Sequence, residues 1–351
     1  MSVKKSKNVD SYDAVIIGAG PAGAAAAREL VKSGRKVLVV EKRKLPRYKI
    51  CSGLILDRAQ DLVLEKFGAP PPEVFCRPGV LKGVRFSTAG DALTDLPLKK
   101  PQVLNVWRSA FDHWLIKQSG ADLLESHRLI GLSQTEGAVQ ATILGPDKKP
   151  FQIKAAHLIG ADGGSSRVRS LLAPAFEETI RFSTFIQAYC IGAINLDPEY
   201  FYMFFDPSLS AFFTWLHVKD DYIVYGVGSY RGKPALQCLK DSTDYLAGHF
   251  GLKIDNVERR TGCVVSDMPI RNNFFLGEGR VLLAGEAAGF MNIFGEGISS
   301  AIATGSLAGS TVCRTEASGE KVLPLYADLV KVEQKLTAKS WKQAGTLMKK
   351  N

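Results

Sequence analysis

The 351-residue sequence lacks the cysteine patterns of a disulfide scaffold or a zinc site. Its six cysteines form no Cys-x-x-Cys pair, and its five histidines show no metal-ligand spacing. We therefore expect isolated thiols in a reducing compartment and no bound metal. The cysteines are Cys51, Cys76, Cys190, Cys238, Cys263 and Cys313.

Long hydrophobic runs are also missing, because no stretch reaches the roughly 18 apolar residues that a membrane-spanning helix needs. The charge-free stretch from Ala14 to Ala27 follows several lysines and resembles a signal peptide. However, Asp10 and Asp13 interrupt the approach to it, and glycines interrupt the stretch itself. We expect a cytoplasmic protein that is not integral to the membrane.

The formal net charge is +10, and many of the lysines lie near the two ends of the chain. A basic surface suits phospholipid headgroups or polyphosphate substrates, and is equally compatible with ordinary solubility. No nucleic-acid motif accompanies the charge, so we expect no nucleic-acid partner. We interpret residues 1–9 as a flexible basic tail.

The last thirty residues place apolar side chains at helical spacing among lysines and around Trp341. Two interpretations of this amphipathic segment, residues 323–351, stay open. The helix either docks on its own domain or makes a peripheral contact with the inner face of a membrane. The apolar positions are Leu325, Leu329, Val332, Leu336, Ala344, Leu347 and Met348.

The first motif in the sequence is rich in glycine and lies near the N-terminus. Tyr12–Ile17 reads as a buried strand, Pro21–Lys32 as an alanine-rich helix and Lys36–Val40 as a second strand. Between the first strand and the helix lies the motif Gly18-Ala19-Gly20-Pro21-Ala22-Gly23, and Glu41 ends the second strand. Backbone N–H groups at a helix N-terminus bind phosphate where side chains leave room, and an acid at Glu41's position accepts hydrogen bonds from ribose hydroxyls. The pattern predicts dinucleotide binding.

Two later motifs distinguish FAD from NAD. Each of them follows a buried strand. The first is Asp162-Gly163-Gly164-Ser165-Ser166-Arg167-Val168-Arg169, and the second is Gly285-Glu286-Ala287-Ala288-Gly289. In this order, the three motifs resemble those of flavoproteins with the p-hydroxybenzoate hydroxylase fold. The resemblance implies non-covalent FAD, with Glu286, in place of the usual Asp, holding the ribityl hydroxyls. Gly295 and Gly297 then open a helix at Ile298, whose positive end would stabilise the reduced flavin.

One segment indicates which family of these flavoproteins the chain resembles. Its sequence is Pro46-Arg47-Tyr48-Lys49-Ile50-Cys51-Ser52-Gly53. It resembles Pro-x-x-Lys-x-Cys-Gly-Gly of geranylgeranyl reductases, and Arg108-Ser109-Ala110-Phe111-Asp112 is similar to their Arg-x-x-Phe-Asp helix start. Their substrate motif, Tyr-x-Trp-x-Phe-Pro-Lys, is present only in altered form at residues 213–219. The resemblance implies a catalytic Cys51 beside the flavin; the alternative is that Cys51 is chemically inert. It also implies a substrate pocket formed by Phe213, Trp215 and His217; the alternative is that these residues belong to an ordinary sheet core.

The resemblance and the motifs together give the set of residues that we expect to contact FAD. These are Gly18, Gly20, Pro21, Ala22, Gly23, Glu41, Lys42, Cys51, Ser52, Gly53, Arg108, Asp162, Gly163, Gly285, Glu286, Gly295, Gly297 and Ile298.

The predicted fold is α/β, with a discontinuous Rossmann-type FAD-binding domain, an inserted antiparallel β-sheet substrate domain and a C-terminal helix. We assign residues 10–72, 100–175 and 263–322 to the FAD-binding domain, and 73–99 and 176–262 to the substrate domain. Alternating residues at Tyr222–Gly228 favour the antiparallel sheet.

The resemblance predicts an FAD-dependent oxidoreductase that reduces carbon–carbon double bonds of an isoprenoid or lipid-like substrate. Its electron donor would be NAD(P)H or a ferredoxin-type protein, since no second Gly-x-Gly-x-x-Gly unit is present. One alternative is a flavin monooxygenase that hydroxylates or epoxidises an apolar substrate. Another is a non-catalytic prenyl-binding protein of the same fold. A halogenase is disfavoured, because Trp-x-Trp-x-Ile-Pro is missing.

Overall fold

The computed structural model describes residues 11–88, 92–100, 102–229, 233–292 and 294–348, so the predicted tail at residues 1–9 lies outside the described residues. The described part contains nine α-helices, which the following ranges define. They are α1 (Pro21–Lys32), α2 (Asp57–Phe67), α3 (Arg108–Ser119), α4 (Arg167–Leu172), α5 (Pro174–Glu178), α6 (Ala235–Phe250), α7 (Ile298–Ser318), α8 (Val322–Leu329) and α9 (Lys331–Met348).

The same residues form eighteen β-strands, several of them only two or three residues long. They are β1 (Ser11–Ile17), β2 (Val37–Glu41), β3 (Leu54–Ile55), β4 (Phe75–Leu81), β5 (Gly83–Thr88), β6 (Thr94–Asp95), β7 (Val103–Val106), β8 (Asp122–Glu125), β9 (Arg128–Gln134), β10 (Val139–Leu144), β11 (Pro150–Gly160), β12 (Phe182–Ala193), β13 (Tyr200–Phe205), β14 (Thr214–Lys219), β15 (Tyr222–Ser229), β16 (Lys253–Ser266), β17 (Gly277–Glu278) and β18 (Val281–Leu283).

The first of two compact units comprises the described residues within 11–47, 112–180 and 268–348. Its sheet has the order β17-β18-β11-β1-β2-β8, and β10 and β9 extend it from β11. Strands β18, β11, β1, β2 and β8 are parallel. The inner strands are apolar because helices and loops cover both faces of a parallel sheet. Their carboxyl ends carry the three glycine-rich motifs to one edge.

Close packing of α1 against α7 organises this unit. A Cβ atom at Gly305 of α7 would lie 2.2 Å from the carbonyl oxygen of Ala22, and one at Gly309 would lie 2.6 Å from that of Ala26. The two helix backbones therefore approach each other with no side chain between them. This packing explains the alanine-rich sequence of α1 and fixes the position of the α7 N-terminus.

The C-terminal segment forms two helices, α8 and α9, instead of the single predicted helix. The indole N–H of Trp341 on α9 donates a 2.9 Å hydrogen bond to the carbonyl oxygen of Met291. Glu333 and Thr337 are buried on α9, whereas Val332 and Leu336 are exposed. The helix thus docks on its own unit, and contact with a membrane stays a prediction.

The second unit comprises residues 48–111 and 181–267. Its seven-stranded sheet has the order β16-β12-β15-β14-β13-β5-β6, and β3, β7 and β4 form a separate three-stranded sheet. One face of the large sheet packs on α6 through Leu216, Leu239 and Leu246. The other face packs Trp215 against Leu54 and neighbouring apolar side chains. Gly226 makes room for Trp215, since a Cβ there would lie 2.3 Å from the indole.

The predicted fold class is confirmed, with local differences. Residues 176–262 contain helix α6 as well as strands, because residues at helical spacing bury against the sheet. The sheet is also not wholly antiparallel, since β13 pairs in parallel with β5. No helix in the described part of the chain is long and apolar enough to cross a membrane. The described residues contain no cluster of side chains able to hold a metal ion.

The unit boundaries differ from the predicted domains. Residues 48–72 and 100–111, which we assigned to the FAD-binding domain, belong to the second unit. The physical reason is that β3 pairs with β7, and both bury apolar side chains in the core around Trp215. The described part of the segment 323–351, residues 323–348, belongs to the first unit, where Tyr326 of α8 donates a hydrogen bond to the carbonyl oxygen of Leu283.

Because the backbones of α1 and α7 are in contact, we expect a single methyl group added at this contact to destabilise the fold. We expect Gly305→Ala to lower the free energy of unfolding by about 1–3 kcal/mol, because the added Cβ meets rigid backbone. Gly248→Ala in α6 is the matched control, since nothing lies within 4 Å of its Cβ position. It should raise stability by up to about 1 kcal/mol through helix propensity. Urea denaturation measures both changes, and similar effects at the two positions would contradict the packing argument.

Candidate functional site

The glycine-rich turn after β1 is shaped by backbone contacts. Gly18 has φ +106°, and its Cβ position lies 2.5 Å from the carbonyl oxygen of Ala161. A Cβ at Gly23 would lie 1.9 Å from the carbonyl oxygen of Gly18. Gly20 differs, because its Cβ position meets only one Arg47 nitrogen at 3.7 Å. The protein thus needs Gly18 and Gly23 for its own packing, whereas Gly20 leaves open space at the N-terminus of α1, where no side chain caps the helix.

Glu41 and Arg47 form a charged network beside this turn. Glu41 is buried, and its carboxylate accepts 3.0 Å hydrogen bonds from the N–H groups of Ala19 and Arg43. Arg47 Nε lies 3.3 Å from Glu41 Oε2, and its Nη1 lies 3.0 Å from Asp112 Oδ2. The two acids orient the guanidinium so that Nη2 faces Gly20. A fixed cation therefore stands at the place where a phosphate would bind α1.

The motif after β11 ties neighbouring turns together. Both carboxylate oxygens of Asp162 accept hydrogen bonds, from the Ser166 hydroxyl and from the N–H groups of Arg167 and Val168. Burial raises the pKa of Asp162, and these hydrogen bonds oppose that rise. Buried Arg169 donates 2.7 Å hydrogen bonds to the carbonyl oxygens of Gly164 and Ala287. Asp162 therefore shapes its own turn, and Arg169 links this turn to the one after β18.

Glu286 follows β18 at the same edge of the sheet. Its side chain is partly buried against Gly164, whose Cβ position lies 2.5 Å from Glu286 Oε1. Among the described residues, its carboxylate has no hydrogen-bond or ion-pair partner, unlike those of Glu41 and Asp162. An unpaired, partly buried acid is costly unless a ligand satisfies it. This carboxylate fits the hydroxyl groups of a ribityl chain.

A loop before α7 presents the N-terminus of that helix. Gly295 has φ +69° with nothing within 4 Å of its Cβ position, and a Cβ at Gly297 would make only ordinary contacts. The Glu296 carboxylate accepts a 2.7 Å hydrogen bond from the Ser299 N–H and a 2.6 Å hydrogen bond from the Ser299 hydroxyl. The acid thus caps the first turn of α7. Both glycines leave the backbone accessible to a ligand, and their contact with the flavin edge stays a prediction.

The second unit contains a separate cluster around Cys51. The partly exposed thiol accepts a 3.4 Å hydrogen bond from the N–H of Gly53. Burial raises the pKa of Cys51, but the charge of Arg108, the Gly53 N–H and the charge of Lys49 act against it, and the resulting pKa is lowered. A lowered thiol pKa marks a reactive cysteine, because the thiolate is the reactive form.

Residues of β7 and β14 support this loop. The N–H of Val106 donates to the carbonyl oxygen of Gly53 at 2.9 Å. His217 Nε2 lies 3.1 Å from the carbonyl oxygen of Ser52. His217 is fully buried and its pKa is well below the usual range, first because of burial and then because of the charge of Lys219. A neutral His217 therefore donates from Nε2, while its Nδ1 is buried without a hydrogen-bond partner in the described structure.

The structure separates the predicted site residues into two groups. The motif residues of the first unit meet at the carboxyl ends of the parallel strands, while Lys42 is exposed just after β2 and Ile298 is buried. Cys51, Ser52, Gly53, Arg108 and His217 belong to the second unit. Phe213 and Trp215 are buried in its apolar core, 5.9 Å apart, so their role as a substrate pocket stays a prediction.

Sequence reasoning missed four polar side chains that shape these sites, namely Arg47, Asp112, Glu296 and Lys219. Arg47 lies inside the quoted segment that precedes Cys51, and its position six residues after Glu41 was the available signal. Asp112 closes the quoted Arg-x-x-Phe-Asp motif, and Lys219 closes the altered substrate motif. The pairing of Arg47 with Asp112 and the contact of Lys219 with Val106 join segments that are distant in sequence, whereas Glu296 bonds Ser299 three residues away.

Comparisons with known proteins agree with this geometry. The sequence profile of the FAD-binding domain family matches residues 11–233. An uncharacterized protein of Methanosarcina barkeri is 28% identical over 89% of this chain and 77% of its own length. Protein CbrA of Escherichia coli is 28% identical over 84% of this chain and 82% of its own length.

Solved structures share the fold. A geranylgeranyl bacteriochlorophyll reductase-like protein of Thermoplasma acidophilum has a TM-score of 0.79 at 18% identity, covering 97% of this chain and 87% of that one. The p-nitrophenol 4-monooxygenase of Pseudomonas putida has a TM-score of 0.72 at 17% identity, covering 97% and 90%. The family profile confirms FAD as the cofactor. Gly20, Arg47 and Glu286 fit its phosphate and ribityl groups.

The different surroundings of Gly20 and Gly23 predict opposite phenotypes. Gly20→Ala should keep the fold but lose FAD, because its methyl would occupy the open space at the α1 N-terminus. Gly23→Ala should destabilise the fold itself, since its methyl would overlap the Gly18 carbonyl oxygen. Flavin absorbance and the melting temperature of the deflavinated protein distinguish the two. Normal FAD content in Gly20→Ala would remove that glycine from the phosphate site.

We expect substitutions of Glu286 to weaken FAD binding to different extents. Glu286→Ala should weaken FAD binding about tenfold to a hundredfold, the range expected for hydrogen bonds to a charged group. Glu286→Asp should retain most of the affinity, because the carboxylate is kept. Glu278→Ala, an exposed acid on β17 of the same unit, is the control. Fluorescence titration of deflavinated protein measures each affinity, and an alanine variant that binds like the parent would refute the assignment.

Proposed function

The chain belongs to the FAD-binding domain family, and we propose that it reduces carbon–carbon double bonds of an isoprenoid or another lipid-like substrate. An FAD-dependent oxidoreductase requires a substrate and an electron donor. We infer that the donor is NAD(P)H or a ferredoxin-type protein. The observation that carries the proposal is the Cys51 thiol, which is partly exposed and lies beside Arg108 with a lowered pKa.

The residues of the first unit bind and orient the cofactor in this proposal. Arg47 and the open α1 N-terminus at Gly20 would hold the pyrophosphate, and Glu286 would hold the ribityl hydroxyls. Glu41, already paired with Arg47, would accept from a ribose hydroxyl. When bound and reduced, FAD supplies a hydride equivalent to an electron-poor or isolated alkene carbon. The backbone at Gly295 and Gly297 would carry the positive end of α7 to the ring.

Reduction of an alkene also requires a proton on the second carbon. We assign Cys51 as the group that donates it, since a thiol with a lowered pKa gives up its proton more readily than an ordinary cysteine. The Cys51 thiolate then regains a proton from water, so that the alkene has gained one hydride equivalent and one proton. Arg108 favours the thiolate that forms. Cys76 cannot serve in the same way, because burial raises its pKa to about 11.

The substrate class is supported by aromatic side chains in the second unit. Phe185 packs on Phe212 at 5.1 Å and on Trp215 at 6.3 Å, and all three lie on one side of the large sheet. Gly228 accommodates Phe185, because a Cβ there would lie 2.5 Å from its ring. Apolar and aromatic walls are typical of sites for hydrocarbon chains. The similar Thermoplasma acidophilum protein is geranylgeranyl bacteriochlorophyll reductase-like, which favours the same class of substrate.

A monooxygenase acting on an apolar substrate is the second candidate. The fold shared with the p-nitrophenol 4-monooxygenase favours it. Such a reaction needs no protein thiol, so the surroundings of Cys51 argue for the reductase. A non-catalytic prenyl-binding role is disfavoured, because the FAD-binding family profile covers the first two of the three cofactor motifs.

The decisive experiment compares two acceptors for the reduced protein. After anaerobic photoreduction, we expect faster reoxidation by a geranylgeranyl alkene than by oxygen, with a saturated product seen by mass spectrometry. Cys51→Ala should slow alkene reduction by about 10²–10⁴-fold, the usual contribution of a general acid. Cys51→Ser should retain part of the rate.

The control is Cys263→Ala, which removes another partly exposed thiol of the same unit. FAD content and melting temperature should match the parent in every variant. Rapid oxygen consumption with a hydroxylated product would establish the monooxygenase instead. Parental turnover in Cys51→Ala would remove the thiol from the mechanism.

A further inference from the structure

Lys219 is a buried cation without an acidic partner at ion-pair distance. It lies on β14 with 1% of its surface exposed. Its ammonium donates a hydrogen bond to the carbonyl oxygen of Val106 and lies 4.9 Å from the centre of the Trp107 ring. Within the described residues, no carboxylate forms a salt bridge with it. A buried charge of this kind is costly to stability unless other groups compensate it or function requires it.

The ammonium lies directly beneath the loop that carries Cys51. The Cβ position of Gly53 is 2.6 Å from Lys219 Nζ, so any larger residue at 53 would overlap the ammonium. Gly53 has φ +74°, and its N–H is the group that donates to Cys51 Sγ. Lys219 and Cys51 are thus separated by the backbone of a single residue. This glycine permits the approach of the charge to the thiol.

Other charged and titratable groups face the pair. Arg108 and Lys49 act on Cys51 and favour its thiolate, and Tyr189 lies near enough to interact with it. Asp220, a nearby carboxylate that acts on Lys219, accepts hydrogen bonds from the Arg77 N–H and the Trp107 indole.

Two buried neighbours do not add charge. Lys219 also acts on Cys76, but burial outweighs that effect and raises the pKa of Cys76 to about 11, so Cys76 stays a thiol. Neutral His217 contributes no charge. Cys51 is therefore the group near Lys219 whose ionisation adds a compensating negative charge.

We propose that Lys219 is a positioning residue whose buried ammonium, placed beneath Gly53, holds Cys51 in a readily ionised state and thereby sets its proton exchange. The inference rests on the proposed function only for the use of that proton. Reactivity of the thiol is a property of the second unit and is measurable without substrate. It makes Lys219, the last residue of the altered substrate motif, a determinant of thiol chemistry.

The test is the pH profile of Cys51 alkylation in FAD-loaded protein. Iodoacetamide labels the protein across pH 5–10, and mass spectrometry quantifies the peptide that contains Cys51. Lys219→Met removes the charge and keeps an unbranched side chain. At pH values below the midpoint of the parent's profile, we expect Cys51 in Lys219→Met to be alkylated about tenfold more slowly than in the parent. The reason is that loss of a nearby opposite charge raises a thiol pKa by about one unit.

Two controls separate charge from structure. Lys82→Met removes a surface lysine of the same unit, paired with Glu199, and should leave the Cys51 profile unchanged. Lys219→Arg keeps the charge and should keep the midpoint near that of the parent. An unchanged profile in Lys219→Met, or a Cys51 that never reacts, would overturn the proposal.

A measurement on the parent covers the case in which Lys219→Met fails to fold. The Cys51 midpoint in the native protein should lie below the midpoint of the same cysteine in the urea-unfolded chain. Equal midpoints would overturn the proposal. Alkene reduction is assayed separately, so a shifted profile with no effect on turnover would uphold Lys219 and reject Cys51 as proton donor.

Discussion

Backbone packed directly against backbone is the constraint on which the cofactor unit depends. At the first turn of α1, a methyl group on Gly23 would lie 1.9 Å from the Gly18 carbonyl oxygen, and one on Gly305 would lie 2.2 Å from that of Ala22. Helix α1 therefore contacts the turn after β1 at Gly23 and α7 at Gly305, with no room for a side chain at either contact. Because backbones do not change rotamer, the helix N-termini and strand ends around the cofactor are held rigidly in place.

The second unit uses buried polar groups where the first uses glycine contacts. His217 and Val106 bond the carbonyl oxygens of the Cys51 loop, and Lys219 lies beneath it. Each of these groups loses hydration on burial, so their stabilising partners matter more than they would at the surface. Burial raises the pKa of Cys51, whereas Arg108 of α3, the Gly53 N–H and Lys49 lower it, so that the pKa lies below its ordinary value. The residues that fit the cofactor thus lie in the first unit, and the Cys51 cluster lies in the second.

Prediction from sequence succeeded where a local pattern has one physical meaning. The bounds of α1 follow from Pro21 at its start and Gly34 just past its end, and the structure has the same helix. Helix α6 escaped prediction because its buried positions, such as Leu239 and Leu246, lie within a stretch rich in aromatic and β-branched residues. The parallel pairing of β13 with β5 joins segments more than a hundred residues apart, and no local signal encodes such a pairing.

The sequence by itself determined the cofactor class, the α/β architecture and the order of the three motifs, because glycine spacing and strand periodicity are local properties. Tertiary structure decided which of the motif acids are paired within the protein. The Asp162 carboxylate accepts hydrogen bonds within its own turn, one of them from Ser166, whereas the Glu286 carboxylate, which lies against Gly164, has no partner among the described residues. Likewise, the charge of Lys219 meets the Cys51 loop solely because β14 and β7 bring distant segments together, since electrostatic effects depend on distance in space and not along the chain.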